Sequence, residues 1–350
     1  MNLIEDFQNI KTFSKEFGWN RSFKRYFYNI PSVRYRRICE RLPYTKGLKR
    51  VVYKNSLWLF RLFRDRYVNL IYNFYNEIAR PIIERYNSTD FPEAEAVSSK
   101  NIWVCWWQGA ESMPWLCRMC FDNLIKNAPE GYDVRLVSRD NYQDFVEMPS
   151  YILDRLNKGT LSITQFSDIL REALLYYQGG LWVDASVWTT PGFYQYISQN
   201  NEFWSIKLDH VYKEYMTGQV VSECMWSGFF MYGKKGNIVT KFAFDCMCEY
   251  FEKYTLTFDY FLQNYFIKIG YKNVSRIKEC IDSIPLTNSH LYGMWLVLNR
   301  PFDQQYWDEL LSDTGVFKLS QKVEYKDMVD GKTTFHGHIK DLYNCMKNVK

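Results

Sequence analysis

The sequence predicts an α/β fold, and two stretches of the chain carry this prediction. Apolar runs at 101–107 and 132–138 flank a helical pattern at 114–128, which indicates a strand, a helix and a second strand. A crossover of this length implies parallel strands and a right-handed connection. Residues 163–183 repeat the order, because an amphipathic helix is followed there by two glycines and a short apolar strand. A chain of 350 residues is long enough to bury a large core of this type.

The N-terminal region is predicted to be helical and is strongly basic. Residues 21–66 contain fourteen lysines and arginines but two acids, whereas the whole chain carries a formal net charge of +5. Bases mixed with large aromatic side chains are typical of a surface that binds anionic lipid. A solvated helical face is the alternative. Nucleic acid is disfavoured, because no zinc finger, helix-turn-helix or RNA-binding signature accompanies the charge.

A polar segment without periodicity, at 87–100, separates this region from the rest of the chain. We therefore predict a basic helical region at 1–95 and an α/β domain at 100–350, with the helix at 67–86 broken or kinked at Pro81. No run of about 18 apolar residues is present, and the first residues lack the pattern of a secretion signal. These features predict a cytoplasmic protein that is peripheral on the inner face of the plasma membrane.

The stretch from 163 to 190 carries most of the functional signal. Its apolar residues recur at helical spacing, which places Asp168 and Arg171 on the opposite face of the helix. Adjacent helix residues differ by about 100°, so Arg171 and Glu172 should not both face one small site. Asp184 follows the short strand, where a carboxylate can hold Mg²⁺ or Mn²⁺ beside a diphosphate. The alternative is a surface ion pair between Asp168 and Arg171 and an ordinary strand-terminal aspartate.

This stretch resembles the donor-site signature of the capsular polysaccharide synthesis protein family, whose relatives include initiating mannosyltransferases and clostridial glucosylating toxins. That signature has an Asp and an Arg three residues apart, a Tyr-x-Gly-Gly turn and an Asp-x-Asp motif. The matching positions are Asp168, Arg171, Tyr177, Gly179, Gly180 and Asp184. Ser186 stands in place of the second aspartate of the motif. The resemblance implies a GT-A fold with a mixed, mainly parallel sheet, and a donor bound at the carboxyl ends of its strands.

The resemblance also assigns residues that would bind the donor. Trp107 and Gln108, at the end of the first predicted strand, are expected to contact the nucleotide. Tyr177 and Gly180 are expected to contribute through the glycine turn. FKLSQK, at 317–322, resembles a near-terminal signature of the family, so Lys318 and Lys322 are expected to meet the diphosphate.

A metal site and an acceptor residue follow from the same resemblance. Asp184, Ser186 and His336 form the expected set of Mn²⁺ or Mg²⁺ ligands. His338 is an alternative to His336, and either histidine could instead be an ordinary hydrogen-bonded one. Asp259, within a helical pattern at 241–268, is a secondary candidate on the acceptor side.

Together these observations predict a metal-dependent hexosyltransferase of capsule or exopolysaccharide synthesis. It would use a nucleotide-diphosphate sugar, act on an oligosaccharide or lipid-linked saccharide, and retain the anomeric configuration. Asp184, Arg171 and Asp168 are the expected catalytic residues. The alternative is a non-catalytic, membrane-associated sugar-binding or scaffold protein, which the replacement of the second aspartate by Ser186 would favour.

Overall fold

The structure, a computed structural model, describes residues 3–29, 48–197, 201–209 and 217–348. Part of the basic region lies outside these ranges. The arginines on which the lipid-binding prediction most depends are not among the described residues, namely Arg34, Arg36, Arg37 and Arg41. The prediction that they bind a membrane therefore stays a prediction.

Helices account for most of the described chain. In chain order they are α1 (Leu3–Phe17), α2 (19–29), α3 (Leu48–Ser88), α4 (Trp115–Asn127), α5 (Ser150–Asn157), α6 (Ile163–Tyr177), α7 (Thr217–Ser222), α8 (Ile238–Lys253), α9 (Leu262–Asn273), α10 (Ser275–Asp282), α11 (Gly293–Val297), α12 (Gln304–Leu311) and α13 (Phe335–Asn348). The strands are β1 (Asn101–Cys105), β2 (Asp133–Val137), β3 (Gly180–Val183), β4 (Val187–Thr189), β5 (Phe203–Ser205), β6 (Phe230–Gly233), β7 (Val316–Lys318), β8 (Met328–Val329) and β9 (Lys332–Thr333).

The central sheet has five strands in the order β2-β1-β3-β6-β5. Strand β1 pairs in parallel with β2 and with β3, whereas β6 is antiparallel to both β3 and β5. Four of the five strands therefore point in the same direction, and β6 alone among them is reversed. The predicted α/β class and the mixed, mainly parallel sheet are confirmed. Because β1, β2 and β3 are parallel, their carboxyl ends lie at one edge of the sheet.

A second, smaller sheet brings the C-terminal part of the chain to this edge. Strand β4 follows β3 closely and pairs antiparallel with β7, so that Val187 lies opposite Lys318. A separate hydrophobic cluster supports this pair, built from the side chains of α4, β4, β7 and the C-terminal helices. Its members include Trp188, Trp307 and Phe335. The antiparallel pairing fixes which residue of β7 faces the end of β3.

The helix α3 packs into the core of the α/β domain. Its second half buries Ile71, Phe74, Tyr75 and Ile78 in the main hydrophobic core, against α8 and α9. The helix continues through Pro81, so the expected break does not occur there. Packing of α3 on α8 and α9 offsets the loss of the backbone hydrogen bond that proline removes. The predicted boundary near 95–100 lies between the end of α3 and the start of β1. Residues on both sides of it belong to the same hydrophobic core.

Two other features differ from or add to the sequence expectations. The helical pattern at 241–268 is divided between α8 and α9, and Asp259 lies in the turn between them. No helix within the described ranges is both long and apolar enough to span a bilayer.

Candidate active site

Asp184 lies immediately after β3, at the carboxyl edge of the parallel strands. Its backbone N–H donates to the carbonyl of Phe229 at 2.9 Å, which fixes the turn. Its carboxylate accepts from Trp182 Nε1 at 2.9 Å, from Arg171 Nη2 at 3.3 Å and from Lys318 Nζ at 2.9 Å. Burial raises the pKa of Asp184, but Lys318 and Arg171 outweigh burial and hold the pKa below its ordinary value. Asp184 is therefore an anion held between two cations.

Arg171 connects the two aspartates of the cluster. Its guanidinium donates from Nη1 to Asp168 Oδ1 at 2.9 Å and to Gln263 Oε1 at 2.6 Å, and it stacks 4.8 Å from the ring centroid of Trp182. Arg171 is 5% exposed, so the alternative of a surface ion pair with Asp168 is wrong. Although it lies opposite the apolar stripe of α6, it is enclosed by Trp182 and Asp184 at the end of β3 and by Gln263 of α9.

Glu172 is also buried, and the prediction that it and Arg171 do not both face one small site stays a prediction. Its Oε1 accepts a hydrogen bond from Gln263 Nε2, and Gln263 is the residue that accepts from Arg171. The two neighbours thus converge on one glutamine from different directions. Burial raises the pKa of Glu172 to about 8, against a smaller opposing effect of Arg171, so this carboxyl is mostly protonated at neutral pH.

Asp168 is half-open to the same edge of the sheet. Burial raises its pKa to about 6, and this effect exceeds the lowering by Arg171. Near pH 7 Asp168 is mostly ionised, so the two anions Asp168 and Asp184 balance the two cations Arg171 and Lys318. The cluster of these four side chains is electrically neutral as a whole.

Lys318 enters this cluster from β7. Its Nζ lies 2.9 Å from Asp184 Oδ2 and 2.9 Å from Ser186 Oγ, although these residues are separated by more than 130 positions in the chain. The register of β4 and β7 explains the contact, since the N–H of Leu319 donates to the carbonyl of Ser186 at 2.9 Å. The structure thus brings together Asp168, Arg171, Asp184, Ser186 and Lys318. Lys322 lies four residues further on, in an exposed turn.

Asp184 and Ser186 are not arranged as ligands of a divalent ion, because both contact the Lys318 ammonium. His336 is hydrogen-bonded through Nδ1 to Asp327 Oδ1 at 3.0 Å, which leaves Nε2 able to bind a metal, so its predicted role stays a prediction. Within the described ranges no three His, Cys, Asp or Glu residues form a group that could hold a metal. Two unit charges 4 Å apart interact by about 4 kcal/mol at an effective dielectric constant of 20, so a divalent ion beside the ammonium would be repelled by roughly twice that energy.

Comparison with known proteins identifies the family. The family model described as "Capsular polysaccharide synthesis protein" matches residues 54–339. The chain belongs to the capsular polysaccharide synthesis protein family. The resemblance seen in the sequence is confirmed, and the match includes every residue of the cluster around Asp184.

Other comparisons add little to this assignment. No curated protein matches the chain. Among solved structures, the PaToxG glycosyltransferase is similar with a TM-score of 0.33 at 15% sequence identity, over 60% of this chain and 83% of that chain. A likeness of this strength carries no argument about fold or function.

In this capsular synthesis protein, Trp107 and Gln108 lie in the turn after β1 and therefore at the same edge as Asp184. The ring of Trp107 packs 4.8 Å from that of Phe166 and 5.4 Å from that of Tyr142. Gln108 is exposed. Their predicted role in donor binding is compatible with this position.

Tyr177 and Gly180 lie at the other end of β3, away from Asp184. Tyr177 is exposed and packs edge-on against Phe244. Gly180 has φ +110°, and a Cβ there would lie 2.3 Å from the carbonyl oxygen of Asn101. The glycine is therefore explained by the close approach of β3 to β1. The structure does not bring these two residues into the cluster, so their predicted contact with the donor stays a prediction.

The turn between α8 and α9 corrects the expected acceptor residue. Asp259 is buried and accepts a hydrogen bond from Tyr67 Oη at 2.6 Å, so it anchors α3 instead of facing the site. Its neighbour Tyr260 is 60% exposed, and burial of its hydroxyl, followed by the charges of Asp168 and Asp184, raises the pKa of this group. Tyr260 is therefore the exposed member of the Asp-Tyr pair. Gln263, which the sequence gave no reason to select, contacts both Arg171 and Glu172.

Proposed function

We propose that the protein is a glycosyltransferase that moves a sugar from a nucleotide-diphosphate sugar to a saccharide acceptor during capsule synthesis. The observation that carries the proposal is the convergence of Arg171 and Lys318 on Asp184 at the carboxyl edge of the parallel strands. Open α/β sheets bind nucleotides at this edge. Family membership supports the same role, and the sheet is compatible with a GT-A fold.

Each residue of the cluster has a separate proposed role in the departure of a diphosphate. Lys318 is the charge placed to meet the negative charge that builds on the leaving phosphates, and Arg171, held from both sides, provides a fixed positive field behind it. Asp168, ionised above about pH 6, is the group placed to accept hydrogen bonds from sugar hydroxyls. Asp184 keeps both cations in position. We propose that the leaving phosphate accepts the proton of the acceptor hydroxyl, with retention of configuration.

The acceptor side is proposed to lie near Tyr260. This ring is exposed, and the pKa of its hydroxyl is raised by burial and then by the charges of Asp168 and Asp184. Tyrosine is suited to saccharides, because its ring packs on sugar faces and its hydroxyl takes part in hydrogen bonds. We propose an oligosaccharide or lipid-linked saccharide as acceptor.

A lipid-linked acceptor agrees with a membrane-facing N-terminal region. On α2, Trp19, Phe23 and Phe27 recur every four residues and are 53%, 56% and 47% exposed, and Lys24 is exposed beside them. Residues at this spacing share one helix face, and a face of aromatic and basic residues suits the interface of an anionic bilayer. We propose that this face and the basic residues after it hold the enzyme on the inner face of the plasma membrane.

The proposed function is tested with a panel of nucleotide sugars, by measuring released nucleoside diphosphate with and without Mn²⁺. We expect the protein to hydrolyse at least one nucleotide sugar slowly. The variant Asp184→Asn should lose this activity. If no donor is hydrolysed or bound under either condition, the protein is better described as a non-catalytic sugar-binding or scaffold protein of capsule assembly.

A further inference from the structure

The two oxygens expected to hold a divalent ion already hold a cation that belongs to the chain. Asp184 Oδ2 and Ser186 Oγ are each 2.9 Å from the same nitrogen, Lys318 Nζ. The ammonium also lies 4.8 Å from the ring centroid of Phe229, a favourable position for a cation. Three neighbours therefore fix the position of this charge.

The backbone on both sides holds the lysine in place. The N–H of Lys318 donates to the carbonyl of Leu291 at 2.9 Å, and the N–H of Leu319 donates to the carbonyl of Ser186 at 2.9 Å. The side chain is mostly buried, so it has few alternative positions. A cation whose position is fixed before the substrate binds needs little reorganisation during the reaction, which is the condition under which electrostatic stabilisation is most effective.

The bonding capacity of the ammonium leaves a place for the substrate. A lysine ammonium has three N–H donors, and the contacts with Asp184 and Ser186 use two of them. The third donor can bind a phosphate oxygen at the open side of the cluster. Arg171 occupies the other carboxylate oxygen of Asp184, so both oxygens of this carboxylate already face a positive charge.

Ser186 fits this arrangement better than an aspartate would. A second carboxylate at this position would attract a divalent ion, because hard cations prefer charged oxygen ligands. A hydroxyl can accept a hydrogen bond from the ammonium without adding negative charge. A serine in place of the second aspartate is thus compatible with the position of the Lys318 ammonium beside it.

We propose that the ammonium of Lys318 takes the place of the divalent cation, so that the enzyme binds and activates the diphosphate of its donor without a metal ion. The inference rests on the proposed function, since it concerns the same donor site. It replaces the expected metal set of Asp184, Ser186 and His336 with a cation built into β7.

Two measurements on the full chain test this inference. Binding of Mn²⁺ alone is followed by electron paramagnetic resonance, and binding of UDP and GDP is followed by calorimetry in EDTA and in Mn²⁺. The parent should bind Mn²⁺ no better than millimolar, and should bind one nucleoside diphosphate with equal affinity, within about threefold, in EDTA and in Mn²⁺. The variant Lys318→Ala should lose at least tenfold in affinity in EDTA and regain part of it with Mn²⁺.

The matched control is Lys332→Ala, which removes an exposed lysine of β9 and should change neither measurement. Circular dichroism checks that Lys318→Ala keeps the fold. Micromolar binding of Mn²⁺ by the parent, or binding of a nucleoside diphosphate in Mn²⁺ but not in EDTA, would overturn the inference while leaving the proposed function intact. No binding under either condition would contradict the proposed function, and the inference would fall with it.

Discussion

Asp184 and Lys318 form an ion pair across two sheets, with Oδ2 and Nζ separated by 2.9 Å. Asp184 ends the central sheet and Lys318 belongs to the small β4–β7 sheet. The pair joins the part of the chain that resembles a donor site with a segment near the C-terminus. From the geometry of this pair we derive predictions about donor turnover. From the buried carboxyl groups we derive predictions about the free energy of unfolding.

Replacing Asp184 with asparagine should abolish donor turnover. The change keeps the shape of the side chain but removes the charge that positions Arg171 and Lys318, so a loss of at least about 100-fold is expected, equivalent to about 3 kcal/mol. Released nucleoside diphosphate measures it. The control is Asp308→Asn, an exposed residue of α12 that accepts from Gln304. Activity of Asp184→Asn within tenfold of the parent would remove Asp184 from the catalytic site.

The rate of donor hydrolysis should decline as the pH falls below about 6. The pKa of Asp168 is raised to about 6 by burial, so this carboxyl becomes neutral below that pH and no longer accepts two hydrogen bonds from a sugar. Initial rates between pH 5 and 8 give the profile. In Asp168→Asn the rate should be lower and independent of pH over this range. Parallel profiles for the parent and this variant would assign the ionisation to another group.

The free energy of unfolding should fall as the pH rises from about 4.5 to 8, with a contribution from Glu172. The folded state keeps the proton of this buried carboxyl up to about pH 8, whereas the unfolded chain releases it near 4.5, so the folded state binds more protons in this window. The slope is up to about 1.4 kcal/mol per pH unit. Urea unfolding at pH 5.5, 7 and 8.5 measures it.

Glu172→Gln should remove this contribution. Compared with the parent, the variant should therefore be more favourably placed in free energy of unfolding at pH 8.5 than at pH 5.5. Glu309→Gln, on the exposed face of α12, should follow the parent at every pH. A constant difference between Glu172→Gln and the parent would show that Glu172 does not hold a proton in the folded state.

Tyr67→Phe should destabilise the protein by about 1–3 kcal/mol, because it leaves the buried carboxylate of Asp259 without the hydroxyl that donates to it at 2.6 Å. Chemical unfolding measures the loss. The control, Tyr306→Phe, changes a half-buried tyrosine whose ring packs against Phe335. Donor binding by Tyr67→Phe at temperatures well below unfolding should equal that of the parent; a selective loss of binding would instead place Asp259 in the site.

The protein should sediment with vesicles that contain phosphatidylglycerol at low salt and should bind neutral vesicles poorly. Salt should release it, because the screening length falls from about 10 Å at 0.1 M to about 3 Å at 1 M. Replacing four arginines of the basic region with glutamine should weaken the binding, namely Arg34, Arg36, Arg37 and Arg41.

The matched control removes four exposed lysines from the rest of the chain, namely Lys158, Lys253, Lys272 and Lys332. This control should still bind vesicles. If both quadruple variants bind equally, the local charge of the basic region is not what attracts the membrane, and the region would be reassigned to a protein partner or to a solvated face.

The sequence predicts the elements around Asp184 well where the signal is local. The helix α6, the glycine turn, β3 and Asp184 follow from periodicity and turn residues within about 25 positions. Burial of Arg171 and Glu172 could not be predicted in the same way, because both contact Gln263 of α9, which lies 92 and 91 positions away in the chain.

Contacts between residues that are far apart in the chain could be identified only from the family resemblance or from the structure. Lys318 was expected at the site through its FKLSQK segment, and the register of β4 with β7 explains why it arrives there. His336 was selected because two histidines lie close together, and the structure adds its contact with Asp327, nine residues earlier. Asp259 is buried and Tyr260 is exposed because they lie in a turn, where adjacent side chains do not follow helical spacing.

The β4–β7 pair also has a consequence for biosynthesis. On the ribosome, all five strands of the central sheet are translated before β7, and Lys318 follows Asp184 by 134 residues. Closing so long a loop is slow compared with local pairing. A translation product that stops before β7 would therefore contain Asp184 without the ammonium that pairs with it.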